Sequence, residues 1–288
     1  MNRFMKMSLI LVIVAFLCAA SSPAFAQSEC TQTYGAGSTT ISLATGSPGE
    51  LGLIEVLANA FNNTHDTRLC WKKAGSGAAL KMLKANQVDF VMVHAPAAEK
   101  QAVEEGWAVK RHLIGSNEFY VVGPENDPAG ISSAKSAAEA YAKIAQAKTK
   151  FYSRGDNSGT HKKEMAIWSK AGIQPSGGWY VTTKTFMMAT LKMADENQGY
   201  FMTDSSTWVA AKKDLGNLKI LFRGDPFLIN TYHTLCQPAG ATAGQAQAAA
   251  FIDFVVSEAG QKIVKEYGVA LYGEGLYNDA QYARQYDH

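Results

Sequence analysis

The sequence predicts an α/β fold of two lobes, each built on a mixed, mainly parallel sheet flanked by helices, with a hinge between the lobes. Three observations predict it. Short β-branched or apolar runs alternate with segments of helical period, the order that builds parallel sheets covered on both faces. The alternation starts afresh after a cluster of turn residues, Gly123-Pro124 and Asn126-Asp127-Pro128, so there are two such series. The carboxyl-terminal part holds one convincing strand and otherwise helices, too little for a sheet of its own, and must return to the first series. The expected organisation is therefore a first lobe of 27–122 plus 228–288 and a second of 123–227, with the hinge where the chain crosses, near 121–124 and 227–232.

The elements follow in order. Residues 39–45 alternate as a β-branched strand, and 48–63 place Leu53, Ile54, Leu57, Ala58 and Phe61 at helical spacing. Strand 66–73, helix 78–86 and the apolar strand 89–93 come next, the last suited to a sheet buried on both faces. Strand 118–122 closes the first series. The second series reads helix 135–147, strand 150–153, helix 160–171, strand 179–182, helix 185–196, and strands 199–203 and 218–222. An irregular connection, 223–230, leads to strand 231–237 and a mostly helical stretch, 245–267.

Ahead of these stands a leader. Arg3 and Lys6 precede an apolar run over 9–20 and the small-residue stop Ala24-Phe25-Ala26, a secretory signal peptide, 1–26, cleaved after Ala26. A run of about 12 residues falls short of the ~20 that span a bilayer. The rival, a lipid anchor on Cys18, has the bulky Leu17 where a small residue belongs. The expected location is periplasmic or extracytoplasmic. The leader carries two of the 27 basic residues and none of the 25 acidic ones, so the remaining chain is formally neutral. It offers no basic field for nucleic acid. Of four cysteines, Cys30, Cys70 and Cys236 outlast the leader in a compartment that allows disulfides. One bridge and one free thiol is the natural count, with Cys30, just before the first strand, and Cys70, in the second, the expected pair. No C-x-x-C or H-E-x-x-H spacing marks a bare metal ion.

Where a parallel strand passes into a helix, the first helical amides are unpaired and the helix dipole makes them an anion site. Three loops have this form: Ala44-Thr45-Gly46-Ser47-Pro48-Gly49-Glu50, Ala74-Gly75-Ser76-Gly77 and Ser153-Arg154-Gly155-Asp156-Asn157-Ser158-Gly159-Thr160. The first also fits a capping box, Ser47 with Glu50 and Pro48 at the first helical position. The second is a glycine-serine turn of a common kind. The third joins Arg154, a fixed charge with a fork of donors suited to an oxyanion, to Asp156, which can orient it, and to the hydroxyls and amides of Ser158, Gly159 and Thr160. The expected ligand set is Thr45, Gly46, Ser47, Ser76, Gly77, Arg154, Ser158, Gly159 and Thr160.

The run from Ser153 through Thr160 to His161-Lys162-Lys163-Glu164, with Ile167-Trp168, Trp179-Tyr180, Val93-His94-Ala95-Pro96, Val122-Gly123-Pro124, Asp127-Pro128-Ala129, Thr203-Asp204, Gly224-Asp225-Pro226, Asn230 and Tyr232, resembles the periplasmic tungstate-binding proteins of ABC importers. The likeness runs over nearly the whole chain after the leader. It implies the type II periplasmic-binding-protein fold, a clamp acting as a monomer with no cofactor. It also implies tungstate or molybdate as ligand and an ABC permease as partner. The Arg154-to-Thr160 spacing is similar too to the phosphate-binding relatives, whose proton-accepting carboxylate falls at His94; a histidine there implies a fully deprotonated dianion. The first loop departs from the family's hydroxyl-rich run: only Thr45 and Ser47 keep hydroxyls, Pro48 removes an amide, and Glu50 brings a charge that repels a dianion. Sulfate, phosphate or a small carboxylate is the alternative ligand. A more distant alternative is a secreted serine hydrolase using Ser158, although Asn157 breaks the protease spacing and no G-x-S-x-G elbow exists. His161 and Glu164 read as the polar face of helix 160–171.

Overall fold

The structure, a computed structural model, describes residues 29–287. The leader lies outside them. The chain begins with β1 (Gln32–Tyr34) and β2 (Thr39–Thr45), then α1 (Ser47–Glu50), α2 (Leu53–Asn62), β3 (Thr67–Lys73), α3 (Ser76–Lys84), β4 (Phe90–Val93) and α4 (Pro96–Glu104). Next comes the 16-residue strand β5 (Val109–Pro124). The second series is α5 (Ala137–Ala147), β6 (Phe151–Ser153), α6 (Gly159–Lys170), β7 (Tyr180–Thr182), α7 (Met187–Glu196), β8 (Tyr200–Asp204), α8 (Ser205–Ala211) and β9 (Leu218–Phe222). The chain returns through β10 (Ile229–Cys236), α9 (Gln245–Val256), α10 (Glu258–Glu266), α11 (Val269–Tyr272), β11 (Asn278–Asp279) and α12 (Ala280–Ala283).

The two expected sheets are halves of one. The strand order is β1-β3-β2-β4-β10-β5-β8-β6-β7, with β9 and β11 also on β5. β5 makes this possible because it is long enough to pair twice: Val109 to Glu118 run antiparallel to β10, and Phe119 to Pro124 pair with β8 and β9. Parallel pairing is confined to β3-β2-β4 and β8-β6-β7, so the halves are mixed rather than mainly parallel. Apolar packing follows the same partition. One cluster sets Ile41, Leu43 and Phe90 against Leu57 and Phe61 of α2 and Phe251 and Ile252 of α9. On the other sheet face Ala44, Val91 and Leu235 meet Leu80 and Leu83 of α3. A separate core joins Phe119, Val121, Phe151 and Phe201 to Tyr141, Trp168 and Leu191.

Helix 48–63 is broken at Gly52, whose φ of 89° suits glycine, into the short α1 and the amphipathic α2. Helix 245–267 is broken at Ser257, which adopts extended backbone and caps α10 by accepting the Gly260 amide. α4, α8 and β1 were not anticipated. β5 begins nine residues before the expected strand, because Lys110, Arg111 and His112 carry no apolar signal and owe their strand state to pairing with β10. Cys30 and Cys70 are bridged, and Cys236 is free and buried.

Candidate functional site

The three loops leave the carboxyl ends of β2, β3 and β6, and the fold stacks them against one another. A Cβ on Gly46 would meet Ala74 O at 3.4 Å, and one on Gly75 would stand 2.9 Å from Ser158 Cβ and 3.8 Å from Arg154 Nη2. A Cβ on Gly77 would lie 2.6 Å from Asn157 O. Gly159 is tighter than these three: any side chain there would come within 2.4 Å of the His94 ring and 2.6 Å of His94 O. The contacts bring second and third loops together across the boundary between the two halves of the sheet.

Arg154 is 4% exposed. Its Nε and Nη2 donate to Asp156 Oδ2 at 3.1 and 2.5 Å, and Asp156 Oδ1 accepts the Ser158 amide at 3.1 Å. Burial works to raise the Asp156 pKa, but Arg154 and the Ser158 hydrogen bonds outweigh it and hold the carboxyl below its usual range. The guanidinium faces the Phe186 ring at 5.4 Å, and Lys73 Nζ approaches the same ring at 4.3 Å. Neither Phe186 nor Lys73 was singled out from the sequence; an aromatic just ahead of helix α7 is no signal until the fold sets it beneath Arg154.

The hydroxyls divide by where their single proton goes. Ser158 caps α6, its Oγ accepting the His161 amide at 3.3 Å, so its own proton stays available, as do the first-turn amides of Gly159 and Thr160. Thr160 Oγ1 is buried with no hydrogen-bond partner among the described residues. Ser76 Oγ accepts the His94 amide at 3.1 Å and likewise keeps a proton to give. Thr45, by contrast, donates to Met92 O at 2.8 Å in the interior. Ser47 is not a cap: Gly46 holds that position without a side-chain bond, and Ser47 Oγ instead points to Asp204 Oδ2 at 3.5 Å. Glu50, the expected repulsive charge, is neutralised by Lys73 at 2.8 Å.

Asp204, at the end of β8, caps α8 by accepting Thr207 N at 2.8 Å and Thr207 Oγ1 at 2.9 Å. The run Asp204-Ser205-Ser206-Thr207 carries the capping signal that could have located this helix start. Its carboxyl is buried, and that burial raises its pKa. Behind it Asn117 Nδ2 bonds Asp204 Oδ1 and Ser206 Oγ, Asn230 Nδ2 bonds Asn117 Oδ1, and His94 Nδ1 meets Asn230 Oδ1 at 2.9 Å. Burial, and then Arg154, push the His94 pKa down to about 3, so the ring is neutral and Nδ1 donates.

Among the described residues Ser158 has a backbone amide as partner and no imidazole, while His161 Nδ1 accepts the Asn157 amide at 3.0 Å. That is not the nucleophile–base contact a serine hydrolase requires. Glu164 is not on a polar face; it is 1% exposed beneath the third loop. Among the described residues no group of three or more His, Cys, Asp or Glu could hold a metal ion, and no helix is long and apolar enough to cross a membrane.

A model of the PBP superfamily domain matches residues 31–259. The tungstate-binding protein TupA of Peptoclostridium acidaminophilum is 38% identical over 266 residues, 90% of this chain and 91% of that protein. Among solved structures, the tungstate ABC transporter protein from Geobacter sulfurreducens superimposes with a TM-score of 0.71 at 37% identity, over 79% of this chain and 98% of that one. The tungstate-binding protein TupA from Desulfovibrio alaskensis does so with a TM-score of 0.68 at 35% identity, over 84% and 98%. With its two-part α/β sheet and its strand-to-helix loops gathered at one place, this chain belongs to the PBP superfamily, in the family that includes these tungstate-binding relatives.

Proposed function

We propose that this protein is the extracytoplasmic solute-binding component of an ABC importer and captures a tetrahedral oxyanion, tungstate or molybdate, between two lobes. The observation that carries the reading is the meeting of the Ser76-Gly77 and Arg154-to-Thr160 loops, whose free donors converge around one buried guanidinium. The relatives named for tungstate supply the ligand class.

The anion's charge is met by Arg154, by the hydroxyls of Ser76, Ser158 and Thr160, and by the first-turn amides of α3 and α6. Asp156 keeps the guanidinium in place. Thr45 and Gly46 shape the wall, and Ser47 sits between anion and Asp204. With His94 neutral and its Nδ1 proton given to Asn230, the site suits a fully deprotonated dianion. We place the lobe division where β5 exchanges partners, at 118/119, and where β10 begins, at 228/229, four residues earlier and one later than the chain order alone suggests. Closure about these two crossings brings Gly159 onto His94 and excludes water, which strengthens each donor. The closed monomer then presents both lobes to a permease.

Calorimetry of the chain from Gln27 onward against tungstate, molybdate, sulfate, phosphate and small carboxylates tests this. The expected result is tight binding of tungstate and molybdate, weaker binding of sulfate, and none of phosphate or carboxylates. Heat from a carboxylate alone overturns the oxyanion reading.

A further inference from the structure

Beneath the third loop lies a polar cluster that anion capture as described does not use. Glu164 Oε1 receives Tyr180 Oη at 2.6 Å and Trp168 Nε1 at 3.2 Å. Tyr180 Oη is also 2.9 Å from Ser153 Oγ, on the residue that precedes Arg154. Each element packed around the carboxyl contributes a neighbour: α5 gives Tyr141, its hydroxyl buried without a partner, β6 gives Ser153, β7 gives Tyr180, and α6 itself gives Trp168. The nearby charged groups are Asp156, which disfavours ionisation of Glu164, and Arg154, which Asp156 engages. No ion pair reaches Glu164 among the described residues. Glu99, equally buried, differs in having Arg111 at 3.2 Å, whereas Asp204, the other buried carboxyl beside the loops, shares with Glu164 the lack of an ion pair among the described residues and a pKa raised by burial.

Glu164 stands four to five residues along α6 from the amides of Gly159 and Thr160, about 6–8 Å at the rise of a helix. A charge there, in a dry interior, opposes a dianion at the helix start. We propose that Glu164 sets the anion affinity through its own protonation, binding being tight when its carboxyl is neutral and weakened when it is charged. The inference rests on the oxyanion reading of the site.

The chemistry is a single proton taken from solvent. With Glu164 charged, Tyr180 donates to it. With Glu164 protonated, its O–H donates to Tyr180 Oη, and the phenol proton turns to Ser153 Oγ, so every hydrogen bond is kept and only the negative charge is lost. Burial raises the Glu164 pKa to about 7, against the donated hydrogen bonds of Tyr180, Ser153 and Trp168, so the change falls near neutrality. His94, held down at about 3, stays neutral in that window, and burial lowers His161 away from it. A bound dianion lifts the Glu164 pKa further, so binding takes up protons, and affinity falls as pH rises through the folded value.

The experiment is calorimetry with tungstate from pH 6.5 to 8.5, in two buffers of different ionisation heat. Wild type is expected to lose affinity on the order of tenfold, with proton uptake on binding around pH 7. Glu164→Gln is expected to hold the low-pH affinity across the range with no proton uptake. Tyr180→Phe, which removes a donor to the carboxylate, is expected to move the midpoint to higher pH. A flat wild-type profile without proton uptake, or a glutamine variant that keeps the slope, overturns the proposal while leaving anion capture intact. Absence of tungstate binding at every pH strikes the oxyanion reading itself.

Discussion

The first and third loops are both strand-to-helix turns rich in glycine and hydroxyls, yet they spend their polar groups in opposite directions. In the third, Asp156 ties down the guanidinium and Ser158 accepts an amide, so hydroxyl protons and helix amides remain to be given outward. In the first, Thr45 donates inward to Met92 O, Ser47 turns to Asp204, and Glu50 is held by Lys73. A helix start marks where an anion can bind. The fate of each hydroxyl proton decides whether that start is used.

Three substitutions sharpen or break this contrast. The largest effect is expected at Arg154. Arg154→Ala removes the fixed charge and leaves the half-buried Asp156 without its partner, and should weaken tungstate binding by roughly a hundredfold or more, with circular dichroism reporting an intact fold. Retained affinity in that variant would falsify the third loop as the anion site. A smaller change is expected at Lys73, which is partly exposed: Lys73→Ala unmasks Glu50 and should cost about threefold to tenfold in affinity. Adding Glu50→Gln to it should recover most of that loss; a double variant as weak as the single one would show that Lys73 acts on the anion directly. The smallest effect on binding is expected from Thr45→Val, which should lower stability to urea by about 1 kcal/mol and leave affinity within twofold, roughly. A large loss of affinity there would return the first loop to equal standing with the third.

The alternation of strand and helix was legible because each element follows from local period, and the return of the carboxyl-terminal strand followed from a count of what it could pair with. Helices α4 and α8 were not legible in the same way. α4 starts at Pro96 with Glu99 Oε1 accepting the Ala95 amide at 2.6 Å, and α8 carries Asp204 as its cap, but both are short and weakly patterned. The polar first half of β5 is a strand because β10 lies beside it, a partner more than a hundred residues away. In the site, Arg154, Asp156 and Ser158 were readable within one loop, since all three interact over a few residues. Phe186, Lys73, Asp204 and the buried setting of Glu164 were not, because their partners come from other elements.

The sequence alone therefore determined what depends on neighbours in the chain: the α/β order, the helix starts that offer amides, and the pairing of Arg154 with Asp156. Only the tertiary structure decided what depends on distant neighbours. It fixed which hydroxyls keep a proton, which carboxylates meet a cation, and that Glu164 stands in the interior without one. The physical reason is that a hydrogen bond or a desolvated charge is set by what packs against it, and that information is spread over the whole fold.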